Sequence, residues 1–383
     1  MRLAVYTDYT YRRREGRIYA ERAFALFLGH LSEVLERMTL IGKVDPEPGR
    51  TRYQLPDSTT FVELPYYASL SQPLAATRAM LSSLAVYWRV LGDVDTVWLL
   101  GPHPLAVAFA LLARARGRAV FLGVRQDFPT YVRARHPGSR WMRLSADLLE
   151  WCWRRLARSM PTVVVGSAIA VNYPPKRTLV LSVSLVRDAD IVAPEVALAR
   201  DYTGELRILT VGRLETEKNP LLLAEILERL VRDGGRWRLL VCGEGPLAGE
   251  LADRCTELGV GEQLDFLGYV THDGGLQELY RDSHALVHVS WTEGVPQVLF
   301  EAFAARLPVV ATDVGGVAAA AGGAALLSPP GDAGPIVELL ERVCSDVELR
   351  AQLTDAGVER VRRATIDVET ERVAAFLAAP RRG

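Results

Sequence analysis

The stretch Ser290-Trp-Thr-Glu293-Gly-Val-Pro296-Gln-Val-Leu-Phe-Glu301-Ala-Phe-Ala-Ala305 decides how the chain is read. An apolar run, His284 to Val289, precedes it and has the length of a buried strand. Pro296 suits the first turn of a helix, where its missing N–H has no partner to lose. Glu293 then lies in a loop and Glu301 in the helix, eight positions apart. Leu307-Pro-Val-Val-Ala-Thr-Asp-Val-Gly-Gly316 follows, a second strand ending in a glycine turn. The order is strand, loop, helix, strand, loop, with polar groups at the C-terminal ends of both strands. In an open parallel sheet that edge is where ligands bind.

Working back from this element, Leu206-Arg-Ile-Leu-Thr-Val-Gly212 is another strand with a glycine end. Arg213 and Lys218 bracket the loop after it, and Asn219-Pro220 opens a helix. Trp237 to Cys242 is the next strand and ends in Gly243-Glu-Gly-Pro246. That is not a G-x-G-x-x-G pattern, so no dinucleotide cofactor is indicated. A further strand, Leu264 to Gly268, leads to Tyr269 and Val270. Carboxylates such as Glu293 and Glu301 accept paired hydrogen bonds from sugar hydroxyls, whereas a helix start and fixed cations suit phosphate. Taken alone, the spacing of the two acids favours a capped helix with a solvated Glu, because Glu is common on helices.

Two stretches, Gly212-Arg-Leu-x-x-x-Lys218 and Glu-Gly-Val-Pro-Gln-Val-Leu-Phe-Glu with its Pro-Val-Val-Ala-Thr-Asp-Val-Gly-Gly sequel, closely resemble the donor site of retaining glycosyltransferases of family four. The resemblance is strong over residues 206–331. It implies the GT-B fold, an α/β architecture of two Rossmann-like domains with parallel sheets facing across a cleft. It also implies roles. Arg213 and Lys218 would hold the donor diphosphate in place of a metal, Glu293 would touch the transferred sugar, and Glu301 would hold the ribose. The backbone at Tyr269 and Val270 would receive the base. Gly212, Gly243, Gly294, Val295, Pro296, Gln297 and Val298 would complete the donor site.

Length and composition agree with two domains. The 383 residues exceed one ordinary core, and 49% are hydrophobic. The expected division is an acceptor-binding domain over 1–190, a nucleotide-sugar domain over 205–365 and a final helix, 366–383, crossing back to the first domain. Cys152, Cys242, Cys255 and Cys344 form no C-x-x-C pair, so neither a zinc nor a redox motif is visible. Asp93-Val-Asp95 and Asp188-Ala-Asp190 have the D-x-D form of metal-dependent transferases of another fold. Neither follows an apolar strand, so neither is read as a metal site. No metal and no cofactor is expected. The cysteine usage and the absence of a signal peptide point to the cytoplasm, with the inner face of the membrane as a further location.

Net charge is −1, but it is unevenly spread. Residues 1–200 hold 27 Lys+Arg against 17 Asp+Glu, and residues 201–383 hold 18 against 29. A basic first half fits either an anionic partner or simple attraction between the halves. In that half, a strand over residues 2–6 is followed by an apparent loop, Thr7 to Tyr19, with Gly16 and Arg17 among four arginines. Related enzymes have a glycine pair here, near the donor diphosphate. In this chain only Gly16 remains, and the arginines could hold phosphate of donor or acceptor. His103 follows the strand Thr96–Leu100 and fits a packed or capping residue as well as a catalytic one. Arg125-Gln126-Asp127-Phe-Pro129 resembles the family's His-Asp-x-x-Pro region, with Gln126 in place of the His. Asp127, Arg125 and His103 are therefore the candidates on this side.

Tyr131 to Met160 interleaves arginines with Trp141, Trp151, Trp153 and leucines. It reads either as a crossover helix with its apolar face on the sheet or as a basic amphipathic helix on an anionic membrane. The reading as a whole is a metal-independent retaining glycosyltransferase acting on a saccharide, lipid-linked glycan or small molecule. An epimerase, a phosphorylase or a non-catalytic binding subunit on the same fold are the alternatives.

Overall fold

The computed structural model describes the chain except residues 48, 50, 69–72, 136–137, 183, 233, 272–273 and 380–383. The chain divides into two compact units, Met1–Val183 with Ile366–Gly383, and Ser184–Thr365.

The first unit is built on strands β1 (Arg2–Arg14), β2 (Arg17–Ala20), β3 (Arg37–Val44), β4 (Tyr53–Gln54), β5 (Thr60–Leu64), β6 (Thr96–Gly101), β7 (Ala119–Val124), β8 (Thr162–Val165) and β9 (Thr178–Leu181). Between them run α1 (Phe24–Val34), α2 (Pro73–Val90), α3 (Pro104–Ala115), α4 (Phe128–Arg135), α5 (Arg140–Ala157) and α6 (Ser167–Ala170). β5, β3, β1, β6, β7, β8 and β9 lie parallel in that order, so the winding reverses between β1 and β6. Runs such as Leu3–Tyr6 and Val97–Leu100 are buried on both faces, as a helix-covered parallel sheet requires.

The second unit contains β10 (Leu206–Val211), β11 (Trp237–Cys242), β12 (Leu264–Gly268), β13 (Ala285–His288), β14 (Val309–Thr312) and β15 (Leu326–Ser328). Its helices are α7 (Pro194–Leu198), α8 (Leu222–Arg232), α9 (Ala248–Glu257), α10 (Leu276–Asp282), α11 (Gln297–Ala304), α12 (Val317–Ala321), α13 (Ala333–Ser345) and α14 (Val347–Arg362). The sheet order β12-β11-β10-β13-β14-β15 is wholly parallel and reverses between β10 and β13. The last helix, α15 (Ile366–Ala378), packs in the first unit, on α1 and β9. Its Glu369 accepts from the Ser182 amide (3.1 Å), and its Phe376 meets Phe121 edge-on.

Three local readings need correction. The Arg-rich stretch after residue 6 is not a loop: β1 continues to Arg14 and turns at Glu15-Gly16, both at positive φ, into β2. Alternation had hidden in the polar composition, because Tyr9 and Tyr11 are buried while Asp8 is exposed. Second, residues 191–204, which the expected division leaves between the two domains, belong to the second unit. The Arg200 guanidinium donates to the carbonyls of Arg281 (2.9 Å) and Ala305 (2.6 Å), and the Val192 amide to Ala304, which bind the segment to the second unit. Third, Tyr131–Met160 forms two helices, α4 and α5. Of the tryptophans in α5, only Trp153 enters the core, while Trp141 and Trp151 face water.

Candidate active site

The reversal between β10 and β13 brings two loops together. After β10, the Lys218 ammonium reaches across and pairs with Glu293 in the loop after β13. The Trp291 amide donates to the Glu217 carbonyl at 2.9 Å, so the two loops are also joined through backbone. Glu293 is almost fully buried, with 9% of its side chain exposed. It accepts from Ser290 Oγ at 2.9 Å and lies 2.9 Å from His288 Nε2. Burial pushes its carboxyl up. The His288 hydrogen bond and the charges of Lys218 and His288 outweigh burial and bring the pKa down to about 2.

Glycines fix where this carboxylate stands. The Gly316 amide donates to the Glu293 carbonyl at 3.1 Å. A Cβ on Gly316 would lie 1.8 Å from the Gly294 carbonyl oxygen, and one on Gly315 would lie 2.0 Å from that of Glu293. Only glycine lets the two backbones approach so closely. Gly243 plays the same part beside β10: its Cβ would fall 1.8 Å from the Gly212 carbonyl oxygen.

Arg213 leaves β10 on the same edge and is paired with Glu215 and, at 3.0 Å, with Glu217. Pro296 is the residue before α11, extended at φ −73° and ψ 110°, and the helix proper starts at Gln297. Asn219, by contrast, adopts a left-handed conformation, and α8 begins at Leu222. Glu301 stands in α11 and accepts from the Tyr280 hydroxyl at 2.6 Å. It lines a cavity with Tyr280, Leu276 and Val186. Tyr269 is 39% exposed after Gly268, while Val270 packs into the unit's core. Gly294, Val295 and Val298 lie between Glu293 and the second turn of α11. Sequence reasoning passed over His288 and Ser290. Their signal was there: with β13 apolar to Val287, two polar residues of one parity at its C-terminal end face the site together.

In the first unit, His103 is buried at the N-terminus of α3. Its Nδ1 accepts from the Leu105 amide (3.2 Å) and is 3.2 Å from the Tyr6 hydroxyl, so the proton sits on Nε2, which meets the Tyr67 hydroxyl at 3.1 Å. Burial lowers its pKa to about 4, so the ring is neutral near pH 7. His103 is thus a cap with both nitrogens engaged. Arg125 pairs with Asp8 at 3.0 Å and stacks 4.2 Å over Tyr9. Asp127 caps α4 through the Thr130 amide (2.9 Å) and lines a cavity of about 320 Å³ with Arg133, Asp147, Glu150, Trp151 and Arg154. Gly16 sits in the β1–β2 turn. Arg17 is exposed, its Nη1 3.4 Å from Gln54. Arg12 and Arg13 are paired with carboxylates, Glu21 and Asp45 for the first and Glu63 for the second. In the D-x-D at 188–190, Asp190 is taken up by the Arg187 amide and Gln277, and Asp95 is paired with Arg2.

Residues 199–360 match the family model described as glycosyl transferases group 1. Alpha-D-kanosaminyltransferase of Streptomyces kanamyceticus is 25% identical over 264 residues, 65% of this chain and 68% of its own length. The GalNAc-alpha-(1->4)-GalNAc-alpha-(1->3)-diNAcBac-PP-undecaprenol alpha-1,4-N-acetyl-D-galactosaminyltransferase of Campylobacter jejuni is 30% identical over 155 residues, 39% of this chain and 41% of its own. The crystal structure of Anabaena Alr3699/HepE in complex with UDP-glucose superposes with a TM-score of 0.66 at 14% identity, covering 98% of this chain and 99% of that one. These matches indicate a glycosyltransferase, and the fold is GT-B.

Proposed function

We propose that this glycosyltransferase is a retaining enzyme that moves a sugar from a nucleotide diphosphate onto a hydroxyl acceptor, with protein cations in place of a metal at the diphosphate. The observation that carries the reading is the Lys218–Glu293 pair at the β10–β13 reversal, where an open parallel sheet takes its ligand. A cation and a hydroxyl-accepting carboxylate side by side match a phosphate joined to a sugar.

In this reading the donor diphosphate lies along the loop 212–218. It draws Arg213 away from Glu215 and Glu217 and takes a second charge-assisted bond from Lys218. Both cations then stabilise the negative charge that grows as the sugar–phosphate bond breaks. Glu293, already held by Ser290 and His288, orients the sugar through its hydroxyls. Glu301 accepts from the ribose, and Tyr269 lies beside the base. The acceptor hydroxyl attacks the anomeric carbon on the face that the phosphate leaves, and a phosphate oxygen takes the hydroxyl proton. The new bond therefore keeps the anomeric configuration. The Anabaena protein solved with UDP-glucose supports this choice of donor class by its shared fold.

The test is Lys218→Ala. With a panel of UDP-, GDP-, dTDP- and ADP-sugars, the wild type should bind one base class in a thermal-shift assay. The variant should lose about 10²–10³-fold in turnover of that donor, the scale for removing one transition-state donor. Turnover within a factor of a few of wild type would remove Lys218 from this role.

A further inference from the structure

The outward face of α5 carries side chains that belong out of water. Trp141 is 62% exposed, Leu144 70%, Leu148 63% and Trp151 63%. Their spacing of three, four and three residues sets them in one stripe along the helix, roughly 15 Å long. This is not the core face. Trp153 and Ala157, on the other side of α5, are wholly buried in the first unit's core. Arg155 falls within the stripe, and Arg140 and Arg158 flank it, all three exposed. Among the described residues no carboxylate pairs with these three. Their neighbours Arg133 and Arg154 are held by Asp147 (2.6 Å) and Glu150 (2.7 Å).

A helix facing plain water would present charge here and keep its tryptophans inside. A second copy of the chain is a poor occupant, since two-fold pairing of this face would set its unpaired arginines against one another with no acid between them. A lipid surface satisfies both features. Tryptophan and leucine sink to the boundary between headgroups and acyl chains, and guanidinium groups meet the phosphates above. The excess of 27 Lys+Arg over 17 Asp+Glu in the first 200 residues gives the attraction its sign. We infer that the Trp141–Leu144–Leu148–Trp151 face of α5 docks on a bilayer rich in anionic phospholipid, with Arg140, Arg155 and Arg158 on the headgroups. Trp151 also lines the cavity that holds Asp127, so the membrane surface would meet the rim of that cavity. Among the described residues no helix is long and apolar enough to cross a membrane, so the contact is peripheral. It does not depend on the proposed reaction.

The test uses the full chain with vesicles of phosphatidylglycerol in phosphatidylcholine, and of phosphatidylcholine alone. The chain should co-sediment with the anionic vesicles and bind the neutral ones at least about tenfold more weakly. Raising salt from about 0.1 to about 0.5 M should release much of it. The variant Trp141→Ser with Leu144→Ser and Leu148→Ser should melt as the wild type does and lose at least about tenfold in vesicle binding. Arg140→Gln with Arg155→Gln and Arg158→Gln should lose the preference for anionic lipid. Failure of the wild type to bind overturns the inference, as does undiminished binding by the first variant or undiminished preference in the second. A wild-type dimer that the first variant breaks, without vesicle binding, would assign the face to another copy instead.

Discussion

At the scale of single residues, Glu293 shows how the site can be tested without knowing the substrate. Its carboxyl is buried, yet held near pKa 2 against an ordinary 4.5. A depressed carboxyl contributes stability that is fully present above its unfolded pKa and is lost as pH falls through the folded one. The window is therefore about pH 5 down to about 2, and the contribution is on the order of 3 kcal/mol. Urea unfolding of the wild type should weaken across that window. Glu293→Gln should weaken less across it, having no proton to bind, and should be less stable at pH 7 because the Lys218 ammonium is left without its partner. An identical pH slope in both proteins would mean that the carboxylate is not held as described. The motif and its resemblance made Glu293, Lys218 and Arg213 legible in the sequence. What could not be read was that Arg213 rests on Glu215 and Glu217 and Lys218 on Glu293, since side-chain pairing across loops leaves no periodic trace.

At the scale of elements, the turns decide the geometry. The Val314-Gly-Gly316 turn after β14 is packed so closely against Glu293-Gly294 that Gly316→Ala must displace one backbone or the other. Overpacking of this kind costs about 1–3 kcal/mol, and here it also moves the carboxylate. The expected result is a lower urea midpoint together with a fall in turnover larger than the stability loss explains. The control is Gly249→Ala in α9, where a Cβ meets nothing within 4 Å; it should leave turnover alone and add up to about 1 kcal/mol. Glycine and proline punctuation made β10, β11, β13 and β14 readable with their loops. The β1–β2 hairpin escaped because its exposed positions carry charge, Asp8 and arginines such as Arg13, which pair with opposite charges and mask a period of two. α5 misled for the opposite reason. Arginines and tryptophans at helical spacing allow two orientations, and only the placement of Trp153 under β6, against Gly101, chooses between them.

At the scale of the whole molecule, the chain leaves the first unit near residue 183 and returns at Ile366. Regular α/β alternation and length made two units legible, but a returning helix has no signal of its own beyond its apolar spacing. What it contributes is written in its contacts. Val373 is wholly buried, Leu377 and Ile366 nearly so, and Glu369, 1% exposed, holds the Ser182 amide and pairs with Arg372 at 2.7 Å. His30 on α1 completes the attachment, 2.9 Å from Asp367. Burial of an aliphatic side chain stabilises by about 1.5–3 kcal/mol, so three of them account for several kcal/mol, a large part of what one domain has. Ending the chain after Thr365 should therefore unfold or strongly destabilise residues 1–183 while residues 184–365 keep their own transition. Differential scanning calorimetry of the truncated chain would read this as the loss or downward shift of one of two transitions. Were the second unit's transition the one to move, α15 would be contributing its energy somewhere other than where its side chains are buried.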